Sequence, residues 1–477
     1  MAITTIIKSI QNIMRKDTGV DGDAQRISQM CWILFLKILD DREKERELLE
    51  DDFKSPLPEG CRWRNWAADA EGITGDELLD FTNNTLFPSL KELPATTKAA
   101  TVVRDVFTDA FNYMKKGQLL RQVINKINED IDFNSSKERH LFGDIYEKIL
   151  KDLQSAGNAG EYYTPRAVTE FIVDRIDPKL GEKVLDPACG TGGFLANTIE
   201  HVRKNYVKEP EDEETLQANL AGIEKKPMPH MLCVTNMLLH GIDAPVQIRH
   251  DNTLARPLRD YSPKEKVDCV VTNPPFGGEE EAGIESNFPK EFQTRETADL
   301  FLVLVMELLK DGGRCGIVLP DGILFGDGVK ERIKRTLLKE CNLHTIVRLP
   351  KTVFAPYTPT ATNILFFNKG IPTKEVWYYE HRLPVGYKAY SKTKPIKFSE
   401  FKPVQKWWTK RKESELAWKV PVEEIVANNY NLDIKNPNVV EDVLRDPVEI
   451  LEDYQYLDSD ITEITTQLKQ LLKESLG

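Results

Sequence analysis

The first stretch able to do chemistry is VLDPACGTGGFL, residues 184–195. An apolar run ends in Asp186, and Gly190, Thr191, Gly192 and Gly193 then let the chain turn tightly and bring its backbone close to a ligand. A helical pattern follows, so Asp186 and the glycines stand where doubly wound sheets hold nucleotides, at a strand's carboxyl end. A tight structural connection would use the same residues. The spacing is G-x-G-G rather than the G-x-G-x-x-G of dinucleotide sites, which argues against a nicotinamide cofactor.

Two more carboxylates stand at the ends of the next two expected strands. Glu224 closes LAGIE and can accept two hydrogen bonds from vicinal ribose hydroxyls, or serve as a turn residue. Asp251 follows IRH and can accept from an adenine amino group, or cap the next helix. Carboxylates at three successive strand ends are harder to assign to capping alone. The fourth strand runs VDCVVT into Asn273, Pro274, Pro275 and Phe276. Two prolines fix the backbone and remove two donors, so local carbonyls point at something other than a sheet ladder. Asn273 adds a side-chain acceptor and Phe276 a flat face, a combination suited to a planar group with an exocyclic NH2. A proline turn beside a core phenylalanine accounts for neither the asparagine nor its place at a strand end.

Positioning these residues takes alternating strands and helices. Short apolar runs at 183–186, 220–224, 246–250, 267–272, 314–319, 343–349 and 362–367 predict a doubly wound, seven-stranded α/β sheet of Rossmann-like type. No helical pattern separates the last two runs, so they are expected to pair antiparallel at one edge. Residues 1–150 read as an α-helical N-terminal domain. After Asp23, a candidate N-cap, Ile27, Met30, Cys31, Leu34, Phe35 and Ile38 recur at helical spacing. Residues 55–66 read as a loop, helical patterns resume over 99–128, and a further helix is expected at about 136–154. The α/β domain is placed at 151–435. A helical C-terminal tail, 436–477, carries Leu457, Ile461, Ile464, Leu468 and Leu471 as a heptad stripe, too short to be stable without something to pack against.

Composition bounds the rest. The 477 residues suffice for two or three domains at roughly 100 to 200 residues each. Lys and Arg number 64 against 76 Asp and Glu, a net charge of −12, which argues against wrapping nucleic acid through a general basic surface. Apolar residues are 40% and no apolar run approaches the ~20 residues of a membrane span, so no membrane association is expected. Seven scattered cysteines without a C-x-x-C pair fit a reducing cytoplasm and neither a disulfide framework nor a thiolate zinc site. Cys189 reads as a packed small side chain, and His230, His240 and His250 show no metal-ligand spacing.

Taken in order, DPACGTGG, IE, HDN and NPPF resemble the S-adenosylmethionine-dependent amino-group DNA methyltransferases that act on adenine. GEYYTPRAVTEFIV (160–173) looks like the cofactor-contacting segment that precedes the glycine turn in the subgroup with this motif order. Together with HLFGDIYEKIL (140–150), NNYNLDI (428–434) and the helical N-terminal region, the chain resembles the modification (M) subunit of type I restriction-modification systems over most of its length. The resemblance implies S-adenosyl-L-methionine as cofactor and no metal. It places Glu161, Tyr162, Tyr163, Thr164, Pro165 and Arg166 among the cofactor contacts, with Tyr163, Thr164 and Pro165 along the methionine end. Asp186 and the turn from Gly190 through Thr191 and Gly192 to Gly193 would hold the methionine portion, Glu224 the ribose and Asp251 the adenine. Asn273, Pro274, Pro275 and Phe276 would receive the target base. Phe276 stands where related enzymes also use Tyr or Trp, and the acidic stretch EPEDEE (209–214) separates the turn from Glu224.

The implied partners are double-stranded DNA with a flipped adenine, a specificity (S) subunit, a second copy of the M subunit and, where one exists, a restriction (R) subunit. An acidic chain must supply local basic surface or borrow it; the KTKPIK and KWWTKRK runs within 392–412 are the candidates, or else solvated faces. Two other functions compete. Methyltransferases that modify a glutamine side-chain amide also use an N-P-P acceptor turn, and a non-catalytic scaffold could retain the fold.

Overall fold

The computed structural model describes residues 3–130, 164–355 and 360–438, apart from 392, with scattered positions between 451 and 469. The expected helix at 136–154 lies outside the described residues, as do Glu161, Tyr162 and Tyr163. Nine strands form one sheet: β1 (Val184–Asp186), β2 (Leu220–Glu224), β3 (Ile248–His250), β4 (Val267–Thr272), β5 (Leu309–Pro320), β6 (Cys341–Arg348), β7 (Thr362–Lys369), β8 (Glu375–Glu380) and β9 (Ala417–Pro421). Their order is β3-β2-β1-β4-β5-β7-β6-β8-β9. Strands β1 to β5 run parallel, β7 is antiparallel to both β5 and β6, β8 is parallel to β6, and β9 is antiparallel to β8. The carboxyl ends of β1 to β6 and of β8 therefore emerge along one rim. The chain order reverses at β1, which has β2 on one side and β4 on the other, and a crevice at that switch point is where such sheets bind ligands.

All seven expected strands are present, and two more extend the sheet. The sequences of β8 (EVWYYE) and β9 (AWKVP) lie in a stretch rich in Lys, Trp and Pro, where aromatic residues on both faces hide any period of two. The antiparallel partners β6 and β7 are not at an edge, because β8 and β9 pair beyond β6; among the described residues the edges are β3 and β9. The helix expected after Asp23 spans Asp23–Leu49, but Gly22 is its N-cap, its N–H donating to Gln25 Oε1 at 3.2 Å.

Along the strands, side chains alternate between two cores. Leu185, Ile223, Val270, Ile317, Ile346 and Leu365 face helices Thr297–Leu308 and Val329–Glu340. Val184, Val271, Val318, Val347 and Ile364 face the opposite side, where helices Arg166–Ile176, Gly193–Asn205 and Pro227–Leu239 pack. Burial on both faces is why the strands read as continuous apolar runs. Pro227–Leu239 is itself covered by the N-terminal helices Asp23–Leu49 and Lys98–Thr108, which explains its apolar residues on every side. Arg42 reaches Asp243 at 3.2 Å just beyond that helix.

The KWWTKRK run docks by its tryptophans. In helix Lys402–Thr409, Trp408 meets Phe366 edge-on at 4.9 Å and Phe171 at 6.3 Å, while Arg411 lies 4.8 Å over the Trp408 ring. Phe171 stacks on Phe401 with ring centroids 4.3 Å apart. Lys402, Lys406, Lys410 and Lys412 are exposed. In the C-terminal tail, Ile461, Ile464 and Leu468 are helical and 58–61% exposed, so that stripe has no intramolecular cover among the described residues. Phe171 joins the first helix of the α/β unit to both the sheet and the Trp408 helix. Phe171→Ala should lower stability by about 3–5 kcal/mol in denaturant titrations; a loss below ~1 kcal/mol would show that the aromatic stack does not anchor this layer.

Candidate functional site

The site forms around the switch point between β1 and β4. Asp186, the last residue of β1, is buried, with Oδ1 accepting from Thr272 Oγ1 at 2.7 Å and from the Ala188 N–H at 3.2 Å. Oδ2 has no partner among the described residues. Burial pushes the carboxyl up to about 7; the Thr272 and Ala188 hydrogen bonds oppose that, and the nearby Glu224 carboxylate adds to it. A buried carboxylate oxygen without a donor is costly unless a cationic or donating group is meant to meet it.

Downstream the chain turns through Gly190, at φ +52°, and Gly192, at φ +81°. A Cβ on Gly190 would point into open space, whereas one on Gly192 would lie 2.8 Å from Cys233 Sγ and 3.2 Å from Met237 Cε. Gly192 thus lets the turn press onto helix Pro227–Leu239, and Asn236 Nδ2 of that helix donates to the Thr191 carbonyl at 3.1 Å. Gly193 starts helix Gly193–Asn205. Glu224, ending β2, accepts from the Gly190 N–H through Oε2 at 3.0 Å and from the Lys226 N–H through Oε1 at 2.7 Å. The Asp251 N–H donates to the Glu224 carbonyl at 3.0 Å, and the Asp251 side chain is exposed; it is Asn252 that caps the following turn through Oδ1 and the Leu254 N–H. EPEDEE forms the N-cap and first turns of the crossover helix Pro210–Ala218, and Glu224 pairs with His250 of β3, two residues beyond Gly222, which pairs with Asp186.

Beyond β4, Asn273 and Pro274 are buried and Pro275 half-buried. Asn273 Nδ2 donates to Thr164 Oγ1 at 2.8 Å, while Asn273 Oδ1 has no partner among the described residues although the residue is only 9% exposed. Phe276 is 7% exposed and meets Phe354 edge-on, with centroids 6.2 Å apart. Pro165 is the N-cap of helix Arg166–Ile176. Arg166 pairs with Glu200 at 2.7 Å on a half-exposed surface. The structure thus brings Thr164 to Asn273, Asp186 to Thr272 and Glu224 to Gly190.

Sequence reasoning missed Phe354 and Glu280. Glu280 is buried four residues after Phe276; its Oε2 accepts from Lys225 Nζ at 3.1 Å and Asn252 Nδ2 at 3.3 Å. It therefore ties the segment after Phe276 to the residues immediately following Glu224 and Asp251. Within GGEEEA nothing marks one carboxylate as the buried one, so no sequence signal could have singled it out. Among the described residues no three His, Cys, Asp or Glu side chains converge as a metal site would require. No described helix is long and apolar enough to cross a membrane.

Three carboxylates around a glycine turn suit a ligand with positive charge, and the orphaned Asp186 Oδ2 together with the open space at Gly190 fits such a group. Across the switch point the side-chain atom of Asn273 without a partner among the described residues is an acceptor, which is what a reacting exocyclic amine needs. A turn suited to a cationic donor beside an acceptor for an amine is what a methyltransferase acting on an amino group needs. Residues 137–446 match the N-6 DNA methylase family, and residues 3–127 match the HsdM N-terminal domain. The chain belongs to the N-6 DNA methylase family, in its branch of type I restriction-modification methylase subunits. It is 61% identical to the type I restriction enzyme EcoEI methylase subunit of Escherichia coli, over all of this chain and 99% of that one. A crystallised modification subunit assigned to a type I restriction enzyme of Vibrio vulnificus is 46% identical, with a TM-score of 0.84 over 93% of this chain and 98% of the other. A structure determined for complex assembly and conformational transition of the type I restriction-modification system is 37% identical, with a TM-score of 0.79 over 99% of each chain.

Glu280→Ala would leave Lys225 and Asn252 without their shared acceptor. Amide hydrogen exchange across residues 277–296 should then quicken by about tenfold or more, the equivalent of one or two hydrogen bonds. Unchanged protection there would mean that the segment is held by other contacts.

Proposed function

We propose that the crevice binds S-adenosyl-L-methionine along β1 to β3 and receives a flipped adenine beside Asn273, so that the chain methylates adenine N6 in duplex DNA. The observation that carries this reading is the buried, unpartnered Oδ1 of Asn273 at the switch point. The cofactor supplies a methyl group already activated on a sulfonium. Asp186 and the turn from Gly190 to Gly193 hold its methionine portion, Glu224 its ribose and Asp251 its adenine. Thr164 and Pro165 stand at the methionine end, beside Glu161, Tyr162 and Tyr163 in the preceding sequence.

The protein's own task is to improve a poor nucleophile. The adenine N6 lone pair is delocalised into the ring, so N6 must be drawn toward tetrahedral geometry before it can attack. Asn273 Oδ1 and the Pro274 carbonyl each accept one N6 hydrogen, aligning the lone pair and stabilising positive charge as it develops. Neither acceptor changes protonation state. The target base must leave the duplex, and contact with Phe276 offsets part of an unstacking cost of a few kcal/mol.

Partner use follows from charge. With a net charge of −12 the chain has little general basic surface for DNA, so recognition is assigned to a separate specificity subunit, with a second copy of this chain and, where present, a restriction subunit completing the assembly. The exposed Ile461, Ile464 and Leu468 stripe of the 436–477 tail offers a helix face for that assembly.

The decisive measurement uses labelled S-adenosylmethionine and unmethylated DNA, with the chain alone and with its co-purifying proteins, followed by nucleoside analysis. Label in N6-methyladenine only with partners present is expected, and Asn273→Ala should keep cofactor affinity while losing about 10²–10³-fold in transfer, as for other lost transition-state contacts. Label in protein and none in DNA would move the assignment to an amide substrate. A second outcome concerns pH. Asp186 binds a cation only when ionised, so cofactor affinity should fall about tenfold per pH unit below about 7 and level off above it, with proton release on binding. Calorimetry across pH 5.5–8.5, about 1.5 units either side of that value, would show the slope, and Asp186→Asn should flatten it. A slope that persists in Asp186→Asn would assign the titration elsewhere.

A further inference from the structure

Asparagine is a two-faced group: one end of its amide accepts and the other donates. Turned one way, it offers an acceptor to an incoming amine. Turned the other way, it places two N–H bonds against the N–H bonds of the substrate and repels it. Rotation about the last side-chain bond has a broad, roughly two-fold profile, so the side chain's own torsion does little to decide between the two. Something outside the residue must set the polarity.

The geometry points to Thr164 as the residue that sets it, and we propose that Thr164 is a positioning residue for methyl transfer, acting through Asn273. This inference rests on the methyltransferase reading above and adds to it a role for Thr164 distinct from lining the cofactor. Its hydroxyl oxygen accepts from Asn273 Nδ2 at 2.8 Å, and Asn273 Oδ1 is left buried and unpartnered among the described residues. The tether occupies the donor end of the amide and presents the acceptor end.

Thr164 can do this because its own position is fixed twice. The residue before a proline is confined to extended backbone, and Pro165 is the N-cap of helix Arg166–Ile176, its carbonyl accepting from the Val168 N–H at 2.8 Å. That helix is seated on the sheet at a glycine: a Cβ on Gly316 of β5 would lie 2.5 Å from Ile172 Cγ2 and 3.1 Å from Ile176 Cγ1. That contact seats the C-terminal half of the helix on the sheet, and at the helix's other end Thr164 comes within hydrogen-bonding reach of Asn273, the residue that follows β4. Two segments 109 positions apart in the chain meet at one hydrogen bond.

The test compares Thr164→Val, which keeps the shape and removes the hydroxyl, with Thr164→Ser, which keeps the hydroxyl, each in the full chain assembled with its specificity subunit. Cofactor dissociation constants come from calorimetry, and methyl transfer to adenine from single-turnover labelling. Thr164→Val should slow single-turnover transfer by about tenfold to a hundredfold, the scale of a misplaced catalytic group, with less than about a threefold change in cofactor affinity. Thr164→Ser should recover most of that rate. Overturning results are a valine variant that transfers at the wild-type rate, or one whose loss appears as weaker cofactor binding with the rate at saturation intact; the latter makes Thr164 a cofactor contact only. If the wild-type complex labels adenine and Asn273→Ala does not, either result removes the tether and leaves the methyltransferase reading standing. Absence of adenine label in the wild-type complex removes both.

Discussion

One hydrogen bond holds the two halves of the site in register. Asp186 and Thr272 end adjacent parallel strands at the point where the chain order reverses, and their 2.7 Å contact is buried. Everything upstream of it along β1 to β3 forms the carboxylate-lined side, and everything downstream of Thr272 forms the acceptor side. Group transfer demands that donor and acceptor atoms meet at about 3–3.5 Å and in line, a tolerance that loops alone rarely hold. Here the tolerance is inherited from the fixed spacing between paired strands, with the Thr272 hydroxyl locking one carboxylate oxygen and leaving the other for a ligand.

That constraint propagates outward through backbone positions that a side chain would disturb. Gly192 presses the cofactor turn onto Cys233 and Met237, and those residues belong to a helix buried under Asp23–Leu49. The N-terminal helices are therefore connected to the turn by continuous packing. His250 extends the connection: its ring stacks on buried His230 with centroids 5.1 Å apart, and its Nδ1 lies 3.7 Å from Asp109 Oδ2 at the end of the helical region. Burial holds His230 down at about 4, so this layer contains a neutral ring where a charged one would be expensive. The last residue of β3, one position before Asp251, thus carries contacts from both the cofactor rim and the helical layer.

The motif-bearing half of the fold was legible because its signals are local. β1 to β4 are short, largely apolar runs that stop at Asp186, Glu224, the residue before Asp251 and the residue before Asn273, with Arg249 and Asp268 as polar interruptions. β8 and β9 were illegible for the opposite reason: Trp377, Tyr378, Tyr379 and Trp418 are shared between sheet faces and a neighbouring helix, so their spacing follows stacking partners rather than a strand period. KWWTKRK looked like candidate phosphate-binding surface in one dimension, yet Trp408 and Arg411 are committed to Phe366, Phe171 and the His344 carbonyl. The importance of Glu280 and Phe354 depends on contacts between loops that leave different strands, and no spacing rule reaches across such a distance.

At the switch point, the buried side-chain atoms left unmatched among the described residues share one sign. Most of the buried polar groups around it are paired: the Thr191 carbonyl with Asn236, the Pro187 carbonyl with Thr253 Oγ1, both Glu224 oxygens with backbone N–H groups. The two atoms at the switch point that lack partners, Asp186 Oδ2 and Asn273 Oδ1, are both acceptors. A fold left to minimise its own free energy would satisfy them or replace them with apolar groups, since each unmatched buried acceptor costs about 1–3 kcal/mol. Their retention at the ends of adjacent strands, one a carboxylate oxygen and one an amide oxygen, suits donors from two different molecules. On the proposed reading a cationic methyl donor would meet the first and an amine the second, and the cost of the two unmatched acceptors would be offset when both ligands bind.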